Sequence, residues 1–222
     1  MNPHQTFEIV CKYLKHQPAV NAAIFNTLRI LKQLNKGDTY YESYLSHFAK
    51  YGSLFVDSYH VMWGIGTELQ PQRILEIGCR VGTSAIQLLS PMVTHRPERV
   101  VLVDCFSDGF NSPHIVRMNL KHMNLMWPCV EIVTVKSEEF MKTEDKYDYV
   151  LIDGDHAKDA ARLDLRNAVP LLDSGGILIF DDLSIDGCDL DDVWKDFCEI
   201  NANEFHFAQN YNGKGIGIGV KK

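Results

Sequence analysis

From Pro71 onward, short β-rich runs alternate with stretches of helical spacing: Arg73 to Ile77, Val100 to Asp104, Val130 to Val135, Tyr147 to Asp153 and Ile177 to Asp181. Runs as continuously apolar as YVLI and ILIF suit strands covered on both faces, which constrains this part of the chain to a parallel sheet between helical layers. The clearest connector is a helix predicted from His156 to Leu172, with Ala157, Ala160, Ala161, Leu165, Ala168, Val169 and Leu172 on one stripe. The turn Asp173-Ser174-Gly175-Gly176 is expected to end it and launch the next strand. Glu204 to Ala208 and Ile216 to Val220 flank a turn from Asn210 to Gly215 and read as a hairpin. The predicted architecture is α/β, a mostly parallel seven-stranded sheet closed by an antiparallel C-terminal hairpin.

Apolar residues also recur at helical spacing earlier in the chain: Val20, Ile24, Leu28, Leu31 and Leu34, then Tyr41, Tyr44, Leu45 and Phe48, then Phe55, Tyr59, Met62 and Trp63. Residues 1–70 are therefore expected to form a helical N-terminal extension, a lid over a pocket or an oligomer contact, with 71–222 as the α/β domain. Aromatic residues at this spacing are more often core than lid, and a homodimer through these helices is one use of them. A chain of 222 residues, 45% hydrophobic, supports one sizeable core. Its net charge of −7 excludes a broad basic surface, so neither nucleic acid nor an anionic membrane is the expected partner. The six cysteines form no CxxC pair and read as reduced thiols. Without a basic-then-apolar leader or an apolar run of about 20 residues, the expectation is a soluble, cytoplasmic protein.

The stretch Arg73-Ile-Leu-Glu-Ile-Gly-Cys-Arg-Val-Gly-Thr-Ser84 reads as a strand, a glycine turn and a helix start. Gly78 and Gly82 allow the backbone to turn tightly, and the helix N-terminus at Thr83 and Ser84 offers N–H groups to a carboxylate. A phosphate-binding Gly-Lys-Ser/Thr is missing, and Arg80 stands at the middle glycine position of GxGxxG. Glu76, just before the glycines, would repel a pyrophosphate and favour the ammonium of a methionine moiety. Asp104 closes the next strand, where a carboxylate can take two ribose hydroxyls or remain a solvated turn acid.

Asp153 in IDGDH and the pair Asp181-Asp182 in IFDDL end two strands that are predicted neighbours. Three carboxylates would converge there, and such a group repels itself unless a cation sits among them. Oxygen-only ligands suit Mg²⁺ or Ca²⁺. As strand-end acids they could also be caps or loop solubilisers. His156, three positions beyond Asp153, is a candidate proton acceptor or an exposed first-turn residue capped by Asp155.

In RILEIGCRVGTS, VVLVDCF, YDYVLIDGDHAKDAARLDLRNAVPLL and SGGILIFDDL, the chain resembles class I S-adenosylmethionine-dependent methyltransferases from about Gln72 to Val220. It is similar above all to the methyltransferase domain 24 family and to catechol and caffeoyl-CoA O-methyltransferases. The resemblance implies a Rossmann-like sandwich. It implies that Glu76, Gly78, Gly82 and Ser84 hold the methionine part of S-adenosylmethionine, Asp104 the ribose and Ser137 the adenine edge. For Ser137, capping a short helix is an equal alternative. Catechol-type enzymes bind a divalent metal through an Asp after the fourth strand and Asp-Asn after the fifth. The resemblance thus implies Asp153, Asp181 and Asp182 as ligands of Mg²⁺, although Asp182 replaces the Asn and adds charge. His156 stands where those enzymes carry a lysine thought to act as base.

The expected function is methyl transfer to a hydroxyl of a small molecule with a divalent metal, Asp153 and His156 being the catalytic residues. Three other readings stay open: a metal-independent methyltransferase using Asp153 or His156 as a simple base, a non-catalytic S-adenosylmethionine-binding protein, and, more distant, a nicotinamide oxidoreductase.

Overall fold

The computed structural model describes residues 2–15, 58–107, 112–184 and 188–222. The helical pattern from Val20 to Phe55, and with it most of the expected lid or dimer contact, lies outside the described residues. In chain order the elements are α1 (Pro3–Lys15), α2 (58–68), β1 (Arg73–Ile77), α3 (Thr83–Leu89), β2 (Arg99–Asp104), α4 (Pro113–His122) and β3 (Val130–Thr134). There follow α5 (Ser137–Phe140), β4 (Tyr147–Ile152), α6 (Lys158–Ala168), β5 (Leu172–Asp181), α7 (Asp191–Ile200), β6 (Phe205–Asn210) and β7 (Ile216–Lys221).

The strands form one sheet in the order β3-β2-β1-β4-β5-β7-β6. All pairs are parallel except β5–β7 and β7–β6. The expected parallel sheet with an antiparallel hairpin is therefore the observed one. Alternation along each strand sorts side chains to two faces. Ile74, Val100, Leu102, Leu151, Ile177 and Ile179 join one core with α1 to α4, while Leu75, Val101, Val103, Val150, Leu178 and Phe180 join the other with α6 and α7. In β7 the sequence IGIGV puts Ile216, Ile218 and Val220 on the first face. Gly217 and Gly219 face the second, where a Cβ on Gly217 would stand 2.5 Å from the Trp194 ring.

Two expectations are corrected. The predicted turn at 173–176 lies inside β5: Tyr147 pairs with Leu172 and Tyr149 with Ile177, so four residues bulge against one and Gly175 takes φ +78°. The helix starts at Lys158 rather than His156, with Ala157 at its N-cap. Asp155 instead accepts the Ala157 N–H at 2.9 Å, an Asx turn two residues long, and His156 stays in the loop. Among the described residues, no helix is long and apolar enough to cross a membrane.

Candidate active site

Strand β1 ends at Ile77 and the chain turns through Gly78 to Gly82 into α3. Gly78 has φ +86°, and a Cβ there would lie 1.8 Å from the Asp153 carbonyl oxygen. Asp153 in turn donates its N–H to the Ile77 carbonyl at 2.9 Å. Gly82, at φ +82°, is the N-cap of α3. The glycine turn and the acid at the end of β4 are thus built against each other.

Glu76 is buried on the α3 face, and Ser84 Oγ donates to its Oε1. Burial, with Asp153 and Asp104 nearby, pushes its carboxyl up to about 8 despite the Ser84 bond. Burial thus favours the neutral carboxyl in this arrangement. Asp104 sits at the end of β2 and accepts the Arg80 N–H at 2.8 Å and the Phe106 N–H at 2.7 Å. This explains why a non-glycine residue is tolerated at position 80: Arg80 adopts φ +49° with its amide tied to the neighbouring strand. Ser137 is the first residue of α5 and not its N-cap, which is Lys136. Its hydroxyl instead faces Asp164 of α6, a carboxyl that burial pushes up to about 6.

The three strand-end aspartates do converge: oxygens of Asp153, Asp181 and Asp182 lie within 4.8 Å of one another. Two partners arrive that sequence reasoning missed. Lys214 Nζ lies 2.7 Å from Asp182 Oδ1 and 3.3 Å from Asp181 Oδ2, and Ser58 Oγ of α2 donates to Asp181 Oδ1 at 3.0 Å. His156 Nε2 is 3.0 Å from Asp182 Oδ2 and 3.7 Å from Asp153 Oδ1, and Cys188 Sγ stands 3.7 Å from the same Asp182 oxygen. The neighbouring Asp153, Asp182 and Cys188 push the imidazole up to about 12. In this arrangement the neighbouring acids favour the protonated imidazole. Burial raises Asp181 to about 7, whereas for Asp182 the opposing pull of His156 and Lys214 wins and holds the carboxyl below its ordinary value.

The signal for Lys214 was the register of the hairpin. Because β7 pairs antiparallel with β5 and Ile216 lies opposite Asp181, the residue two before Ile216 must arrive beside the Asp181-Asp182 pair. The sequence marks the hairpin but not which strand it joins.

By donor type the three aspartates suit a hard divalent cation. As arranged they are already shared with basic side chains, which a dication would have to displace. Ser58 and Lys214 donate to Asp181, His156 faces Asp182 Oδ2, and Lys214 is ion-paired with Asp182 Oδ1, a buried oxygen that accepts no hydrogen bond among the described residues, so two basic side chains stand among the three carboxyl groups.

The family model described as "Methyltransferase domain" matches residues 75–183. The search of curated proteins finds no match. Among solved structures, the chain is similar to an O-methyltransferase from Bacillus cereus in complex with S-adenosylhomocysteine, at 22% identity over 72% of this chain and 79% of that one, TM-score 0.56. It is also similar to the O-methyltransferase TomG from Streptomyces achromogenes in complex with S-adenosylmethionine, at 19% identity over 86% and 98%, TM-score 0.59. A third is the methyltransferase PaMTH1 of Podospora anserina bound to S-adenosylhomocysteine, at 15% identity over 75% and 78%, TM-score 0.58. At these identities the solved structures speak to the fold, which is the seven-stranded one described above.

Proposed function

We propose that the chain, whose residues 75–183 match a methyltransferase-domain family model, is a class I S-adenosylmethionine-dependent methyltransferase that methylates a hydroxyl oxygen of a small molecule. The observation that carries the reading is the abutment of Gly78 on Asp153, which puts the acid cluster beside the turn that would hold the methionine part of the cofactor. In open α/β sheets ligands bind outside the carboxyl ends of the strands, where both features lie. The O-methyl transfer named for the Bacillus and Streptomyces structures agrees with an oxygen acceptor.

In this reading Glu76, Gly78, Gly82 and Ser84 serve the methionine part, Asp104 the ribose and Ser137 the adenine edge. Bound S-adenosylmethionine supplies an electrophilic sulfonium methyl. The chain's own task is to hold the acceptor oxygen in line and take its proton. With the protonated form of His156 favoured, that proton goes to the Asp153 carboxylate, whose side chain is a quarter exposed, while His156 stays beside it as a donor.

The metal-dependent form of the reading puts Mg²⁺ on Asp153, Asp181 and Asp182 to lower the hydroxyl's pKa. It requires Lys214 to withdraw from both carboxylates. Calorimetric titration of S-adenosylmethionine, followed by a methyl-transfer assay on a catechol-like acceptor with Mg²⁺ and then with chelator, tests both levels. Micromolar cofactor binding with label in the acceptor supports the reading, and loss of transfer on chelation supports the metal form. A folded protein that binds no cofactor overturns the whole.

A further inference from the structure

We propose that Lys214 is the resident cation of this site: it occupies the place among the strand-end aspartates that a divalent metal would take, and methyl transfer here runs without one. The proposal rests on the methyltransferase reading and adds a positioning residue to it.

The ammonium, on a side chain 16% exposed, stands between Asp181 and Asp182 at 3.3 Å and 2.7 Å, the two residues the catechol-type pattern assigns to a metal. Its backbone is fixed there. Ser184 donates its N–H to the Lys214 carbonyl at 2.8 Å, Ser184 Oγ donates to the Gly213 carbonyl at 2.5 Å, and Leu183 donates to the Gly215 carbonyl at 3.3 Å. Gly215, at φ +78°, packs so closely that a Cβ would stand 2.7 Å from the Ser184 nitrogen. A lysine held by a turn sewn to the strand end leaves its charge in place, and a dication sharing the same oxygens would face that charge at contact distance.

The sequence departure has the same sense. Asp at 182 in place of Asn adds one negative charge, and Lys214 adds one positive charge directly against it, 2.7 Å away. The two charges form one ion pair. In the transfer step the acceptor's O–H proton passes to Asp153, the O–CH₃ bond forms as the S–CH₃ bond breaks, and S-adenosylhomocysteine leaves neutral at sulfur. Lys214 keeps its proton throughout and holds the aspartates in position with their charge offset.

The test is Mn²⁺ titration followed by electron paramagnetic resonance, on the wild-type chain, Lys214→Arg, Lys214→Met and the double variant Asp182→Asn with Lys214→Met. Each protein is checked by thermal unfolding and by calorimetric binding of S-adenosylmethionine. The double variant removes the orphaned carboxylate that could unfold Lys214→Met. Wild type and Lys214→Arg are expected to hold no Mn²⁺ in the micromolar range, while a folded Met variant gains one equivalent at least about tenfold more tightly. One equivalent bound by wild type and lost in Asp153→Asn overturns the proposal, as does a folded double variant that binds Mn²⁺ no better than wild type. Failure of wild type to bind S-adenosylmethionine overturns instead the reading beneath it.

Discussion

At the scale of single residues, two buried acids carry the clearest consequences. Asp164 is 2% exposed on α6, bonded to Ser137 with its Oδ2 unpartnered, and burial together with Asp155 and Glu138 raises it from 3.8 to about 6. A folded-state acid with a raised pKa favours folding relative to its ionised form below 3.8, and that contribution is lost as pH rises through about 6. Asp164→Asn keeps the shape and the Ser137 bond without the charge, so it is expected to stabilise by about 1–3 kcal/mol at pH 7.5. Urea unfolding at several pH values checks this, since the gain should shrink between pH 6 and 4; a neutral or destabilising effect at pH 7.5 would mean the carboxylate has a favourable partner. Glu76, raised to about 8, gives a second case. On the proposed role, in which Glu76 meets the cofactor's ammonium as a carboxylate, binding below pH 8 is expected to expel a proton and tighten with pH by up to about tenfold per unit. Calorimetry in buffers of different ionisation heat should show that release in wild type, and the difference from Glu76→Gln isolates it from the ligand's own titration. Both residues illustrate what was legible. Glu76 stands out in sequence because it precedes two glycines, whereas Asp164 reads only as a polar residue on a helix, its burial being set by what Ser137 and Gly154 bring against it.

At the scale of elements, the strand-to-turn unit around β1 separates two glycines that look alike in sequence. Both have positive φ, but a Cβ on Gly78 would strike the Asp153 backbone at 1.8 Å, whereas on Gly82 it would meet only the Val116 Cγ1 at 3.2 Å. Backbone cannot yield as a side chain can. Gly78→Ala is therefore expected to cost about 2–4 kcal/mol and to abolish S-adenosylmethionine binding, and Gly82→Ala about 1 kcal/mol with weakened binding. Paired denaturation and cofactor titrations check the order; equal effects would show that φ alone matters at this turn. β1 itself was readable residue for residue from Arg73 to Ile77 because its apolar run is bounded by Pro71 and Gly78. The start of β5 was not, since Asp173-Ser174-Gly175-Gly176 has turn composition and only the pairing of Leu172 with Tyr147 makes it a bulge within a strand. Nor was Lys214, whose place depends on β7 inserting between β5 and β6.

At the scale of the whole molecule, the sheet needs cover on both faces, and the N-terminal segment provides part of it. Helix α1 carries Val10 and Leu14 into the same core as Ile177, Ile179, Ile218 and Val220, beside Tyr59, Met62 and Ile65 of α2. The two helices are tied by Tyr13, whose hydroxyl donates to Glu68 Oε1 at 2.6 Å and whose carbonyl is 2.7 Å from His60 Nε2. A boundary near residue 70 separates patterns of spacing, since helices give way there to alternating strands, but it does not separate cores. Phe7, Val10 and Leu14 have the i, i+3, i+7 spacing of an amphipathic helix, a pattern that the reading from Val20 onward passed over. If α1 belongs to the core of the α/β domain, truncating one buried side chain on it must loosen the whole domain. Val10, fully buried, is the probe: Val10→Ala is expected to cost about 2 kcal/mol and to lower the melting temperature by about 4–8 °C in a single cooperative transition. Cofactor affinity should be unchanged, because Val10 packs beneath the sheet in the core cluster and the glycine turn stands at the strand ends. A first, separate transition for α1 in that variant would instead make the segment an appendage, with the sheet stable without it.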